Sequence, residues 1–182
     1  MSTRACYRFI DPDTTDPEVV TVYKHSDGYP DGAVCWITKA LEHAWPLPRF
    51  EADEFAAAFV AANKPSAKTR RMDYIAKAER ETDPEKKLHL LKAAEDYGPG
   101  GGYADCVGGG VRPVNKPGCD AFKIYATDIE YLYDVTRNVT RKGNLLHIVG
   151  YSVSERNGDW TITPIFSGSL ARMQAQYGLK YL

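Results

Sequence analysis

The chain has 182 residues, 43% of them hydrophobic and 26% charged, with a formal net charge of −1. That length suits a single domain, 1–182, able to bury most of its extended-chain surface, and the near-neutral balance excludes a global electrostatic attraction to nucleic acid or membrane. No run approaches the ~20 apolar residues of a membrane span, so no membrane partner is expected.

Residues 1–7 lack the apolar centre of a secretory signal, which makes the cytoplasm the expected location. Cys6, Cys35, Cys106 and Cys119 stand apart with no CxxC pair. Cys106 and Cys119 flank a glycine-rich loop, but reduced thiols are the expectation in that compartment, and no disulfide, metal site or cofactor is assigned.

Two apolar runs, 5–10 and 19–24, flank the turn-forming segment Asp11-Pro12-Asp13-Thr14-Thr15-Asp16-Pro17 and read as an antiparallel hairpin. A first helix follows over 31–43, with Val34, Ile37, Leu41 and Ala44 on one face and Asp31 as N-cap. Trp45-Pro46-Leu47-Pro48 stops it. An alanine-rich second helix spans 52–62, carrying Phe55 and Phe59. A third stretch, weakly anchored by Met72 and Ile75, leads to Asp83-Pro84-Glu85, which marks a fourth helix start: an N-cap with proline in the first helical position. That helix carries Leu88, Leu91, Ala94 and Tyr97 and ends at Gly98.

Residues 98–110 hold seven of the fifteen glycines. No Lys-Ser or Lys-Thr follows them and Val111-Arg112-Pro113 blocks a helix, so they read as a connector rather than a phosphate loop. Strand patterns then occupy 121–126, 128–136, 145–153 and 160–166, with Asn157-Gly158 as a hairpin turn and a short helix over 169–176. In 128–136, Ile129, Tyr131, Tyr133 and Val135 fall on one face as core, and Glu130 and Asp134 on the other, as solvated carboxylates if that face is exposed beside the neighbouring strand. The fold class is α+β: an antiparallel sheet built from the N-terminal hairpin and the C-terminal meander, with a central block of helices packed on it.

Two segments carry chemistry. The first, His25-Ser26-Asp27-Gly28-Tyr29-Pro30-Asp31-Gly32, joins the second strand to the first helix. His25, Asp27 and Asp31 there have the makings of an acid–base or cation-binding cluster, with His25 and Asp27 on one face if the strand continues. The competing reading is structural: Asp27 caps the turn, Asp31 caps the helix, Tyr29 packs into the core and His25 is a strand-end residue. Structure is the favoured reading, followed by a binding loop of His25, Asp27, Tyr29 and Asp31; no catalytic residue is assigned. The second segment, 64–80, sets Lys64, Lys68, Arg70, Arg71, Lys77 and Arg80 against two acidic residues. On a helix, Lys64, Lys68 and Arg71 share a face, as do Lys77 and Arg80; such a stripe fits nucleic-acid phosphates or an acidic protein, although most charge runs are solvated faces.

The pieces Thr21-Val-Tyr-Lys-His-Ser-Asp-Gly-Tyr-Pro30, Trp45-Pro-Leu-Pro-Arg-Phe-Glu-Ala-Asp-Glu-Phe55, Gly108-Gly-Gly-Val-Arg112 and Asp128-Ile-Glu-Tyr-Leu-Tyr-Asp-Val-Thr136 together resemble a family of uncharacterised phage and prophage proteins with a recurring H-x-D-G-Y-P element. The resemblance implies a viral or mobile-element origin, action inside a host cell, and an insertion at 64–108. It carries over no catalytic residue. The expected function is an accessory protein acting by binding, as a counter-defence inhibitor of a host ribonucleoprotein such as CRISPR-Cas or of a nucleotide-signalling system. Its partner is then a host protein, a ribonucleoprotein complex or a nucleotide ligand. The alternatives are a small nucleotide-directed hydrolase or transferase using the HSDGYPDG loop, and a structural or regulatory phage component.

Overall fold

The computed structural model describes residues 3–11, 18–25, 27–45, 49–63, 67–96, 111–113, 129–140, 143–156 and 159–178. The chain divides into two compact units, one formed by 1–63 with 111–182 and the other by 64–110.

In the first unit, β1 (Ala5–Ile10) and β2 (Val19–Lys24) form the expected hairpin, in register from Ala5 opposite Lys24 to Ile10 opposite Val19. β3 (Val111–Pro113) adds to β2, while β4 (Tyr131–Thr140), β5 (Gly143–Arg156) and β6 (Asp159–Ser169) form the C-terminal meander. The six strands lie in the order β3-β2-β1-β4-β5-β6. The architecture is α+β, as the sequence suggests. One pairing departs from the antiparallel expectation: β1 and β4 run parallel, with Tyr7 opposite Tyr133 and Arg8 opposite Asp134. A parallel pair needs a long crossover, which the chain between β2 and β4 provides.

β4 starts three residues later than 128, and this moves Ile129. It packs with Cys6, Tyr23, Leu132 and Val153 on the opposite face from Tyr131, Tyr133 and Val135. The expected strand at 121–126, the glycine-rich loop, Asn157-Gly158, Cys106 and Cys119 lie outside the described residues. Cys6 and Cys35 are buried free thiols.

Helices α1 (Pro30–Leu41), α2 (Ala52–Asn63) and, near the C-terminus, α5 (Leu170–Tyr177) cover one sheet face. Tyr7, Phe9, Val22, Tyr133, Val135 and Ile148 from the strands meet Val34, Ile37, Phe55, Phe59 and Met173 from the helices. Phe9 sits 5.4 Å from Phe55 and 5.3 Å from Phe59 between ring centroids. Each fully buried side chain of this kind contributes roughly 1.5–3 kcal/mol of transfer free energy. A Gln174 to Thr38 hydrogen bond of 3.1 Å ties α5 to α1.

The second unit is a helical hairpin, α3 (Ala67–Arg80) and α4 (Pro84–Asp96). Asp83 caps α4 as expected, its Oδ1 accepting from the Glu85 amide at 2.9 Å and the Lys86 amide at 3.3 Å. Its buried residues, among those described, are Ala78 and Ala94. Leu88, expected as an apolar anchor, is 69% exposed, and Leu91 and Met72 are exposed as well. Ile75 and Leu90 are half-buried, so the covered face of the hairpin differs from the one the spacing of Leu88 and Leu91 suggests.

Candidate functional site

The connection from β2 to α1 is fixed from beneath at four points. β2 stops at Lys24, and Asp27 reverses the chain with φ 56°, the one left-handed non-glycine residue among those described. Aspartate tolerates this region better than most residues because its short polar side chain bonds locally. Gly28 then passes over the start of β1, donating its amide to the Thr3 carbonyl at 2.9 Å. A Cβ on Gly28 would lie 2.8 Å from the Ala5 Cβ and 2.9 Å from the Arg4 carbonyl carbon, so only glycine allows the approach. From the core, the Tyr133 hydroxyl donates to the Gly28 carbonyl at 2.8 Å. On the other side, Trp36 Nε1 donates to the Asp27 carbonyl at 3.0 Å. The first turn of α1 fits against that same carbonyl: a Cβ on Gly32 would fall 2.1 Å from the Asp27 oxygen.

Trp36 is itself held. Its carbonyl accepts from the Asn63 side-chain amide at 3.1 Å, and the Nζ atoms of Lys24 and Lys39 lie 4.2 and 4.9 Å from its ring centroid. Lys24 is only 6% exposed, and cation–π attraction offsets part of the cost of that burial.

Outward from this base point His25 and Tyr29. His25 is exposed, with Nδ1 2.9 Å from the hydroxyl of buried Tyr23. Tyr29 is 45% exposed and its ring centroid is 5.9 Å from that of half-buried Tyr131. Behind Tyr29 the aromatic series runs inward, whereas His25 contacts Tyr23, which packs with Cys6, Leu132 and Val153 on the opposite sheet face. Tyr131 stacks on Tyr133 at 6.3 Å, and Tyr133 on Tyr7 at 5.2 Å.

Burial pushes the Tyr7 and Tyr133 hydroxyls well above the ordinary tyrosine range; nearby Cys6 and Asp27 add to this at Tyr7, and Tyr7, Tyr131, Tyr177 and Asp31 at Tyr133. Tyr131 is raised too, by desolvation first and then by Glu130, Tyr29, Asp31 and Tyr177. The Tyr7 hydroxyl is buried with no hydrogen-bond partner among the described residues.

The shared strand face on which the alternative acid–base reading set His25 and Asp27 is not formed. His25 and Asp27 do not share a strand face, because β2 ends before His25 and the chain reverses at Asp27. Tyr29 is a surface residue, not a core one, since the helix begins immediately after it. Asp31 is not the N-cap: Tyr29 holds that position without a side-chain bond, and Asp31 lies in the first turn, where its carboxylate accepts from the Gly32 amide at 2.9 Å and faces the positive end of the helix dipole. Among the described residues no group of three His, Cys, Asp or Glu side chains is placed to hold a metal ion.

In the basic segment, Arg70, Arg71, Lys77 and Arg80 are exposed on α3; Lys64 and the side chain of Lys68 lie outside the description. An open groove of about 310 Å³ lined by Lys77, Arg80 and Leu90 also includes Glu81, and a second of about 400 Å³ adds Glu85. Carboxylates therefore interrupt the positive stripe at the α3–α4 junction.

Three contributors escape a sequence reading. Trp36 and Tyr131 join the loop only through the tertiary fold, although the alternation in 128–136 already flags Tyr131. On the opposite sheet face, Asp134 is no solvated carboxylate: its side chain is 15% exposed and it pairs bidentately with Arg8 at 2.6 and 2.7 Å, with the Tyr151 hydroxyl donating at 3.4 Å. The parallel β1–β4 register that sets this pair opposite each other has no local sequence signal.

No protein-family model, curated protein or solved structure matches the chain.

Proposed function

We propose that the protein acts by binding, and that the β2–α1 loop is its principal contact surface. The observation that carries this reading is the division of labour within the loop. Its backbone is fixed by Gly28, Gly32, Tyr133 and Trp36, while His25 and Tyr29 stand outward on that base. A preorganised surface loses little conformational freedom on association, and exposed tyrosine is among the residue types that dominate binding energy. The likeness of the H-x-D-G-Y-P element to phage and prophage proteins supports a counter-defence accessory role. The partner is then a component of a host immune complex, either a CRISPR-Cas assembly or a nucleotide-signalling protein.

The test is a pull-down from bacterial host lysate with tagged wild type, His25→Ala/Tyr29→Ala and Arg70→Glu/Arg71→Glu, all matched for thermal stability. Small molecules released from each by heat are analysed in parallel. Loss of a captured partner from the loop variant, with retention by the helix variant, supports the reading. The reverse pattern moves the contact surface to α3, and retention by both variants overturns the assignment of surfaces.

A further inference from the structure

Helices α3 and α4 pack on each other about the turn at 81–83, with Ala78 and Ala94 as their buried residues among those described. Helices of 14 and 13 residues are marginal unless an apolar face is covered, and here much of the apolar material is outside. Met72 and Ile75 lie three residues apart on α3, and Leu88 and Leu91 three apart on α4. Met72 is 56%, Leu88 69% and Leu91 40% exposed, while Ile75 is half-buried. Residues equidistant from the turn of a hairpin lie side by side, which brings the two pairs to one level. Helical rotation sets Met72, Ile75 and Leu91 on one side of the hairpin with Leu88 at its outer edge; the grooves lined by Lys77, Arg80, Lys86 and His89 open on the other.

Exposed charges frame this patch. Glu79 and Lys87 stand at its turn end, four residues from Ile75 and Leu91 respectively; Arg71 and Glu95 stand at its open end at the same spacing. Among the described residues none of these four takes part in an ion pair. The sign therefore alternates around the patch, so a two-fold axis laying this face on a second copy matches opposite charges in either direction. With both turns at one end, Glu79 and Arg71 meet Lys87 and Glu95 of the second copy. With the turns at opposite ends, Glu79 meets Arg71 and Lys87 meets Glu95. We infer that this face of α3 and α4 is a self-association surface, covered by a second copy of the chain to form a four-helix bundle. A two-fold contact needs a self-complementary patch, and apolar residues ringed by alternating charge supply one. Helices only about 20 Å long place the contact among small, transient interfaces, so the dimer dissociates on dilution. This goes beyond the β2–α1 loop as contact surface and does not depend on it.

The experiment is analytical ultracentrifugation of the full chain from about 1 μM to about 1 mM, where the expected result is a reversible monomer–dimer equilibrium. Leu88→Glu/Leu91→Glu and, independently, Met72→Glu should each weaken association at least about 10-fold. These side chains are exposed in the single chain, so helix content by circular dichroism and the Tm of the dilute protein should stay near wild type. Glu79→Lys should weaken association about 2- to 10-fold, and a second change, Lys87→Glu or Arg71→Glu, should restore it, whichever restores it giving the direction of the two-fold. A monomer at every concentration overturns the inference, as does a dimer indifferent to the apolar substitutions. A host protein captured by wild type and lost by Leu88→Glu/Leu91→Glu, on a chain that stays monomeric, would give the face to that partner and likewise overturn it. His25→Ala/Tyr29→Ala should leave the dimer intact, which separates failure of the loop reading from failure of this one.

Discussion

Replacing Gly32 with alanine sets two effects of opposite sign against each other. Helix propensity favours alanine over glycine by about 0.8–1.0 kcal/mol within a helix, and Gly32 lies in the first turn of α1. Close packing opposes it: the new Cβ would fall 2.1 Å from the Asp27 carbonyl oxygen. Backbone must therefore move, and the nearest backbone is the loop itself. Overpacking of this kind typically costs about 1–3 kcal/mol. Movement of Asp27 would also break its bond from Trp36, worth about 1 kcal/mol net. The expected balance is a loss of about 1–3 kcal/mol, or roughly 2–12 °C in Tm for a chain of this size. Urea unfolding followed by tryptophan fluorescence measures it, with hydrogen exchange at residues 27–33 reporting whether the damage is local. Unchanged or increased stability would refute the argument that Gly32 is required by the approach of Asp27.

Further substitutions separate the roles of the buried tyrosines. Tyr7→Phe removes a buried hydroxyl that has no hydrogen-bond partner among the described residues and should stabilise the protein by ~1 kcal/mol, whereas Tyr133→Phe leaves the Gly28 carbonyl without its donor and should cost ~1–3 kcal/mol, both read from denaturant midpoints. At Asp27, φ 56° predicts that glycine is at least as stable as aspartate, while alanine is less stable than glycine by ~1–2 kcal/mol in the same assay. Tyr7 and Tyr133 keep their protons in the fold well above the ordinary value of 10.0. Their contribution is therefore complete below about pH 10 and lost above it, as the unfolded chain releases protons the native state retains; the decline approaches ~1.4 kcal/mol per pH unit for each tyrosine. Denaturation at pH 9 to 11.5 should show that fall, with a shallower slope for Tyr7→Phe.

Much of the fold is legible because local signals suffice for it. Alternation places β1 and β2, Asp83-Pro84 sets the start of α4, and the apolar spacing of Val34 and Ile37 finds the buried face of α1. The parallel β1–β4 pair is not legible, because register between strands so far apart in sequence depends on the packed core rather than on either strand. The site is half legible. Gly28 and Gly32 mark an unusual backbone in sequence, but the reasons for them, Ala5 beneath one and the Asp27 carbonyl beside the other, exist only after folding. Tyr29 reads as core from its hydrophobic ring, yet Pro30 in the first turn of α1 leaves it at the outer mouth of the loop. On α4 the helical spacing of Leu88 and Leu91 is real, but spacing alone does not say which face is covered.

The claim that the β2–α1 loop is a preorganised contact surface is tested most directly by the dissociation constant of the captured partner. It is measured for wild type, for His25→Ala/Tyr29→Ala and for Arg70→Glu/Arg71→Glu at matched Tm. Loss of two central contacts at a rigid surface predicts at least ~10-fold weaker binding by the loop variant, with the α3 variant close to wild type. Unchanged affinity of the loop variant, or a loss confined to the α3 variant, would contradict it.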